Sequence, residues 1–160
     1  MDFESKEYRD ILGEGMDQEE NCGQIKRVWF EIEGEPVPKD RPRAAGHIYT
    51  PNKTRDREED IALMYKAKYH RFMFEKGVPL RAEMDFYFKI PQNISKKKRV
   101  EMENKRIRPT KRPDIDNIQK LVMDAANGVI WVDDAQVVEV VVRKYWSDRP
   151  RTEVRVIEVW

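Results

Sequence analysis

Residues 111–138 constrain the fold of this chain most, because they predict a helix with well-marked ends. Asp114 is a good N-cap residue, and Asn127-Gly128 is a strong signal for the end of a helix. A helix is therefore predicted from Ile115 to Ala126. Its apolar stripe consists of Ile118, Leu121, Val122 and Ala125.

Five aspartates surround this helix, and together they indicate a metal site. They are Asp114, Asp116, Asp124, Asp133 and Asp134. The last two follow an apolar run at residues 129–132, which predicts a strand leading back toward the same end of a sheet. Several carboxylates brought together repel one another unless a hard cation binds them, and oxygen ligands are those that Mg²⁺ prefers.

Composition limits the alternatives. At 160 residues, with 39% apolar and 10% aromatic residues, the chain is long enough for one folded domain with a core. Cys22 is the only cysteine, which excludes an intrachain disulfide and a thiolate zinc cluster and favours a reducing compartment. No apolar run resembles a signal peptide or a membrane-spanning helix. We expect a soluble, cytoplasmic protein with no membrane contact and no organic cofactor.

Charge is unevenly distributed, although the formal net charge is only +1. In residues 1–24, eight acids oppose Lys6 and Arg9, and the rest of the chain is correspondingly basic. This acidic stretch has few large apolar residues and predicts a flexible extension, with the folded domain at residues 25–160. A basic body is compatible with nucleic acid, and from charge alone a mixed surface is an equal alternative.

Hydrophobic periodicity and turn residues predict six further elements. In chain order they are a strand at residues 26–33, a helix at 54–76, a strand at 80–90, a helix at 95–105, a strand at 136–146 and a strand at 152–160. Gly77 and Pro79 mark the end of the first helix, and Ser95 is the N-cap of the second.

Two basic stretches are candidates for contact with phosphate groups. In the first, prolines keep residues 39–43 extended and display Lys39, Arg41 and Arg43; an ordinary connector is the alternative. Tyr49, nearby, is the aromatic residue to test for contact with DNA. The second stretch, residues 96–112, runs directly into the aspartates, and a solvated face is the alternative. Its candidate DNA-binding residues are Lys97, Lys98, Arg108, Lys111 and Arg112.

Carboxylates beside a basic surface are suited to phosphodiester hydrolysis. Bound Mg²⁺, or Mn²⁺ in its place, lowers the pKa of a water molecule and neutralises charge on the phosphate. Lys120, one turn after Asp116, is placed to stabilise the transition state or the leaving group. Each residue also has a structural alternative: Asp114 as a cap, Asp116 and Lys120 as an ion pair, and Asp133-Asp134 as a turn.

Two motifs in this segment resemble the signature of a known family. DIDNIQK begins at Asp114, and WVDDAQVV begins at Trp131. Together with PVPKDRPR at residues 36–43, they resemble the RusA-type Holliday-junction resolvases of bacteria, prophages and phages over most of residues 26–158. The resemblance implies a small α+β fold with a mixed sheet and two to three helices. It also implies a homodimer that acts on branched DNA, nicking paired strands at four-way junctions with Mg²⁺, in recombination and repair.

The resemblance implies roles for single residues as well. The expected catalytic residues are Asp114, Asp116, Lys120 and Asp134, and the three aspartates are also the expected metal ligands. Asp133 is a further candidate ligand, whereas Asp124 is assigned to structure, paired with Lys120 or capping a neighbouring amide. Two other hypotheses stay open: a branched-DNA-binding protein with little or no catalysis, and an acidic extension that mimics DNA or recruits a partner.

Overall fold

Four strands with alternating apolar residues form the mixed sheet at the centre of the fold. The computed structural model describes residues 26–39, 43–45, 47–49 and 52–159. The predicted extension at residues 1–24 lies outside them. The strands of the sheet are β1 (Arg27–Glu33), β4 (Leu80–Lys89), β5 (Val137–Ser147) and β6 (Arg151–Glu158). Their spatial order is β1-β6-β4-β5, with β4 and β5 parallel and the other pairs antiparallel, which confirms the predicted α+β fold.

Three helices and a hairpin complete the described part of the chain. The helices are α1 (Asn52–Tyr69), α2 (Lys96–Glu103) and α3 (Ile115–Ala126), and the hairpin pairs β2 (Arg43–Ala45) with β3 (His47–Tyr49). Ser95 caps α2 as predicted, because its hydroxyl accepts a hydrogen bond from the Lys98 amide at 3.3 Å. None of the helices described is long and apolar enough to cross a membrane.

One face of the sheet packs against α1 and α3 and forms the hydrophobic core. Phe30, Met84 and Val154 lie side by side on neighbouring strands of this face, and each is at most 2% exposed. The helices contribute Ile61, Tyr65, Ile118, Leu121 and Val122. Burying one such side chain contributes about 1.5–3 kcal/mol, so this packing fixes the position of α3 on the sheet.

The opposite face of the sheet carries paired charges. Glu83 and Asp85 of β4 are 3% and 5% exposed. Arg143 of β5 and Arg155 of β6 approach both carboxylates, with nitrogen–oxygen distances of 3.1 to 3.7 Å. Since these buried acids have arginine partners, β4 can be enclosed on both of its faces.

The first helix is shorter than predicted. It ends at Tyr69 instead of residue 76, and His70 leaves the helical conformation with a φ of 56°. Phe74 then pairs with Trp131 in an isolated bridge and is 1% exposed. The helical periodicity failed here because these residues gain more from burial in the core than from continuing α1.

The strand predicted at residues 129–132 is wrong. Gly128 has a φ of 70°, and the amides of Val129 and Ile130 both donate to the carbonyl of Ala126, at 3.0 and 2.8 Å. This turn folds the chain against the end of α3 and buries Trp131 completely. A positive φ at a glycine after the helix reverses the chain at once, which leaves no room for an extended strand.

Smaller differences affect the other elements. The strand predicted at residues 136–146 is β5, and a 3₁₀ helix, Asp134–Gln136, precedes it. The last strand ends at Glu158, and Trp160 lies outside the described residues. The hairpin of β2 and β3 was not predicted, because each strand has only three residues.

Candidate active site

The N-terminal end of α3 leaves two carboxylates free. Asp114 occupies the N-cap position with an extended backbone (φ −72°, ψ 148°), but its side chain accepts no capping hydrogen bond. Asp116 is exposed in the first turn, and no hydrogen bond or ion pair joins its carboxylate to another described residue. Negative charge is favourable at this end of a helix because it opposes the positive end of the dipole. Both side chains are available as ligands.

A lysine from the sheet holds the turn that leads into α3. Nζ of Lys144, in β5, donates hydrogen bonds to the carbonyl oxygens of Lys111 at 2.8 Å and Pro113 at 2.9 Å. Burial lowers the pKa of Lys144, while the negative charge of Asp114 acts in the opposite direction. Lys144 therefore brings a positive charge close to Asp114 from the sheet side.

A cleft of about 660 Å³ opens beside Asp114. It is lined by Pro36, Pro38, Lys39, Arg112, Pro113, Asp114 and Asn117. The amide of Lys39 donates to the carbonyl of Asn117 at 3.0 Å, which joins the proline segment to the first turn of α3. The Asp114 carboxylate and the Arg112 guanidinium therefore belong to residues that line the same cleft.

Asp124 is held in an ion-pair cluster, as its structural assignment predicts. Nζ of Lys39 contacts the Asp124 carboxylate and lies 3.0 Å from the carboxylate of Glu58 in α1. Nζ of Lys120 lies 4.0 Å from the Asp124 carboxylate. Burial lowers the pKa of Lys39, but the two carboxylates more than offset this, so the pKa is raised. The cluster fastens residue 39 to both helices.

Asp133 and Gln136 form a capping box around the 3₁₀ helix. The Asp133 carboxylate accepts a hydrogen bond from the Ala135 amide at 2.8 Å, and Oε1 of Gln136 accepts one from the Asp133 amide at 3.1 Å. Nε2 of Gln136 donates to the carbonyls of Glu75 and Val78. This arrangement gives one oxygen of Asp133 a capping role, and its assignment as a further ligand stays a prediction.

Asp134 is half-buried at the other end of α3. Its Oδ1 accepts a hydrogen bond from Nε1 of Trp131 at 2.8 Å, which fixes the carboxylate relative to the core. Trp131 itself is bonded to the chain just after α3, because its carbonyl accepts from the Gly128 amide at 2.8 Å. One oxygen of Asp134 is therefore oriented by the indole, as expected of a ligand or a structural acid.

The second basic stretch is exposed and leads to the cleft. Lys97 and Lys98 lie in the first turn of α2, while Lys111 and Arg112 lie in the turn before Asp114. In the part of the chain that the structure describes, none of these four side chains pairs with a carboxylate. Their charges are free to attract a polyanion.

Arg108 combines charge with packing. Its guanidinium lies 4.1 Å from the ring centre of Tyr145, and Nε donates to the carbonyl of Lys105 at 3.2 Å. Nζ of Lys105 lies 4.8 Å from the same ring. These cation–π contacts fix the segment between α2 and α3 against β5. Binding of DNA by Arg108 stays a prediction.

The first basic stretch is described only in part. Arg41 lies outside the described residues, and for Arg43 and Tyr49 the structure describes the backbone, in β2 and β3. The ammonium of Lys39 is already bound by Asp124 and Glu58. Contact of Lys39 with phosphate, also still a prediction, would require it to leave these carboxylates.

The predicted site is divided between two places in one copy of the chain. Asp114 and Asp116 share the start of α3, with Lys120 one turn further on, whereas Asp134 follows its end. α3 has 12 residues and is therefore about 18 Å long. Among the described residues, no three His, Cys, Asp or Glu side chains are grouped so that they could hold a metal ion. The catalytic assignments remain predictions.

Comparison with known proteins identifies the family. Residues 33–157 match the family described as Endodeoxyribonuclease RusA. The chain belongs to the RusA family. It is 37% identical over 139 residues to the uncharacterized protein YqaN of Bacillus subtilis (strain 168), covering 82% of this chain and 96% of YqaN. It is 32% identical over 87 residues to the crossover junction endodeoxyribonuclease rusA of Lactococcus phage r1t, covering 54% of this chain and 60% of that protein.

Membership of the RusA family confirms the predicted resemblance and the coarse activity, that of an endonuclease. The matched range contains every aspartate that surrounds α3 and both basic stretches. The family match and the geometry therefore concern the same part of the chain.

Sequence reasoning missed three residues of this RusA-family site. Lys144 had a usable signal, because it lies between Val142 and Trp146, which are on the same side of β5 and pack against the core. Gln136 lies within the second motif, but its hydrogen bonds to residues 75 and 78 cannot be read from spacing. Glu58 gave no signal, since its partner Lys39 is on another segment.

Proposed function

We propose that this RusA-family chain is a Mg²⁺-dependent endonuclease that nicks paired strands at four-way (Holliday) junctions in DNA recombination and repair. The observation that carries the proposal is the pair of carboxylates without capping or ion-pair partners among the described residues, Asp114 and Asp116, of which Asp114 lines a cleft together with Arg112. Cationic groups attract the DNA backbone, and carboxylates hold the metal that hydrolysis needs. The name of the phage relative supports the same substrate.

Exposed cations offer a route by which DNA reaches the cleft. Lys111 and Arg112 immediately precede Asp114, and the lysines of α2 extend the basic surface away from it. Contacts of this kind release counterions from DNA, so affinity should fall as salt rises. They position the backbone without reading base sequence, which suits an enzyme selective for DNA structure.

The donor set fits Mg²⁺. Carboxylate oxygens are the ligands that this ion prefers, and those of Asp114 and Asp116 have no hydrogen-bonding or capping partner among the described residues. These two side chains would hold the ion, together with an Asp134 that a second copy of the chain brings to them. When bound, it supplies an activated water molecule and neutralises charge on the phosphate.

Lys120 would act on the phosphate itself. Its side chain is 64% exposed, and its contact with Asp124 is long, at 4.0 Å. An exposed pair of this kind contributes little to stability, about 0.3–0.5 kcal/mol, so Lys120 can leave Asp124 at low cost. Its ammonium could then donate to a phosphate oxygen as negative charge develops in the transition state.

Cleavage of labelled four-way junctions tests this function. Purified protein is incubated with a junction, or with linear duplex of the same sequence, in Mg²⁺ or in EDTA. We expect nicks in the junction with Mg²⁺ only, and little cutting of the duplex. Cleavage that Asp116→Asn leaves undiminished would overturn the proposal.

Binding of branched DNA without useful catalysis is the rival function. The exposed lysines and arginines support binding equally well, because they do not depend on the carboxylates. Tight junction binding with no cutting in either Mg²⁺ or Mn²⁺ would favour this rival.

We also propose that the active unit is a homodimer. One copy holds Asp134 and the pair Asp114 and Asp116 at opposite ends of α3, and a two-fold partner could bring one copy's Asp134 to the other's helix start. β5 is an edge of the sheet, and Val138 and Val140 on it are 60% and 40% exposed. An exposed apolar edge strand is suited to pairing with a second copy.

Mixing two inactive variants tests whether a site is shared between copies. In a mixed dimer of Asp116→Asn and Asp134→Asn, sharing leaves one site with both natural aspartates, whereas sites formed within one copy would both be defective. We expect the mixture to regain nicking, at one strand per junction. A mixture that stays inactive although mixed dimers form, as native mass spectrometry would reveal, contradicts the shared site.

A further inference from the structure

Lys144 is placed where the strand pattern calls for an apolar residue. It lies between Val142 and Trp146, which are on the same side of β5 and pack against the core, and its strand partner in β4 is the buried Phe86. A half-buried ammonium in such surroundings is costly unless it is hydrogen-bonded. Its position therefore calls for an explanation that packing alone does not give.

The hydrogen bonds of Lys144 are directed at the turn before α3. Nζ donates to the carbonyl of Lys111 at 2.8 Å and to that of Pro113 at 2.9 Å. The Pro113 carbonyl belongs to the peptide unit that joins Pro113 to Asp114. One ammonium thus connects β5 to the residues on both sides of Arg112, the second of which directly precedes Asp114.

Charge adds to this connection. The Asp114 carboxylate interacts electrostatically with Lys144, although burial is the larger influence and lowers the lysine pKa. Asp114 also lacks the capping hydrogen bond that would otherwise orient an N-cap side chain. The hydrogen bonds from Lys144 restrain instead the backbone that leads into Asp114.

We propose that Lys144 is a positioning residue for the metal site: it fixes the turn at residues 111–113 and places Asp114 for binding a divalent cation. The inference rests on the proposed function, because Asp114 is a ligand only if that function is correct. Lys144 itself contacts neither metal nor DNA. Groups that orient metal ligands in this way typically change metal affinity or activity by about 10- to 100-fold when they are removed.

Lys144→Met removes the ammonium and keeps most of the side-chain length. Lys68→Met is the matched control, because Nζ of Lys68 also donates to a backbone carbonyl, that of Trp29 at 2.8 Å, and also lies near an aromatic ring. Lys68 is in α1, outside the proposed site. Mn²⁺ affinity is measured by calorimetry, and junction cleavage is measured as kcat, KM and the Mg²⁺ concentration for half-maximal rate.

We expect Lys144→Met to weaken Mn²⁺ binding and raise the half-maximal Mg²⁺ concentration by about 10-fold or more, with a similar fall in kcat at fixed Mg²⁺. KM for the junction should change less than about twofold, because phosphate contacts are made by other residues. Lys144→Arg, which keeps the charge and the donors, should recover part of the loss. Lys68→Met should leave all of these quantities near the natural values.

Several results would overturn the proposal. Unchanged Mn²⁺ affinity in Lys144→Met would do so, as would a loss confined to KM or an equal loss in Lys68→Met. If Lys144→Met also lowers thermal stability, the double variant Lys144→Met with Asp114→Asn is compared with Asp114→Asn alone. If Lys144 acts through Asp114, the two should have the same Mn²⁺ affinity. A further loss of affinity in the double variant would contradict the positioning role.

The outcome separates this inference from the proposed function. A natural chain that binds Mn²⁺ but cuts no junction would overturn the proposed function. The Mn²⁺ affinities of the variants would still test whether Lys144 positions Asp114. A natural chain that cuts junctions, beside a Lys144→Met variant with the same metal dependence, would overturn the role of Lys144 and leave the function standing.

Discussion

Aspartates at the two ends of α3 differ in whether their carboxylates have partners. At the N-terminal end, Asp114 and Asp116 have no capping or ion-pair partner among the described residues. Toward the C-terminal end, Asp124 is held by lysines, and Asp133 beyond it is held by a backbone amide. Acids whose partners lie within the fold stabilise it, while grouped acids without partners are costly and so indicate a ligand. Asp134 belongs to both groups, because Trp131 donates to only one of its oxygens. Substitutions at the two ends of α3 test this difference.

Asp116→Asn should have the largest effect, and on activity alone. Removing a metal ligand should lower junction cleavage by about 10²- to 10³-fold, because charge stabilisation in the transition state is lost. Thermal unfolding should change little, since Asp116 has no partner in the described structure and loses only its small interaction with the helix dipole. Cleavage rates and melting curves of the same preparations check both parts, and a large loss of stability would mean that Asp116 has a structural role.

Lys39→Met should lower the stability of the fold, in contrast to Asp116→Asn, which should lower cleavage. It leaves the carboxylates of Asp124 and Glu58 facing each other without the lysine, so the free energy of unfolding should fall by about 2 kcal/mol in urea denaturation. A second change, Asp124→Asn, removes one of the two charges and should restore part of the stability. A double variant less stable than Lys39→Met would contradict the cluster.

Replacing the two capping positions gives a smaller and more direct comparison. Asp133→Ala loses a side-chain hydrogen bond to the Ala135 amide, and the free energy of unfolding should fall by about 1 kcal/mol. Asp114→Ala loses no capping bond, so the free energy of unfolding should fall by less than about 0.5 kcal/mol, although metal-dependent cleavage should fall about as much as in Asp116→Asn. Equal destabilisation by both changes would remove the distinction between the two ends.

Arg112→Ala should have the smallest effect. One phosphate contact fewer should weaken junction binding by a few fold at moderate salt and lower the slope of log affinity against log salt by about 1. Arg99→Ala is the matched control, because Arg99 is already paired with Glu103 and Asp148. Binding is measured by titration at several salt concentrations, and equal slopes for both variants would remove Arg112 from the DNA surface.

The limits of α3 were predicted correctly because they depend on local chemistry. A capping residue, an apolar stripe with helical spacing and a final Asn-Gly act within a few residues of one another. The end of α1 and the path of residues 129–132 were not predicted. Burial of Phe74 and Trp131 in a shared core decided both, and their contact joins positions far apart in the sequence.

The sequence by itself determined the presence of acids beside a basic run, which follows from residue type and short spacing, and its motifs resemble one family, a resemblance that implied the mixed α+β architecture. Only the tertiary structure decided which acidic side chains have partners elsewhere in the fold. Lys39 reaches Asp124, Trp131 holds Asp134, and Lys144 secures the turn before Asp114. Such partners are chosen by packing across the sheet and helices, so a free carboxylate and a bound one look identical in the sequence.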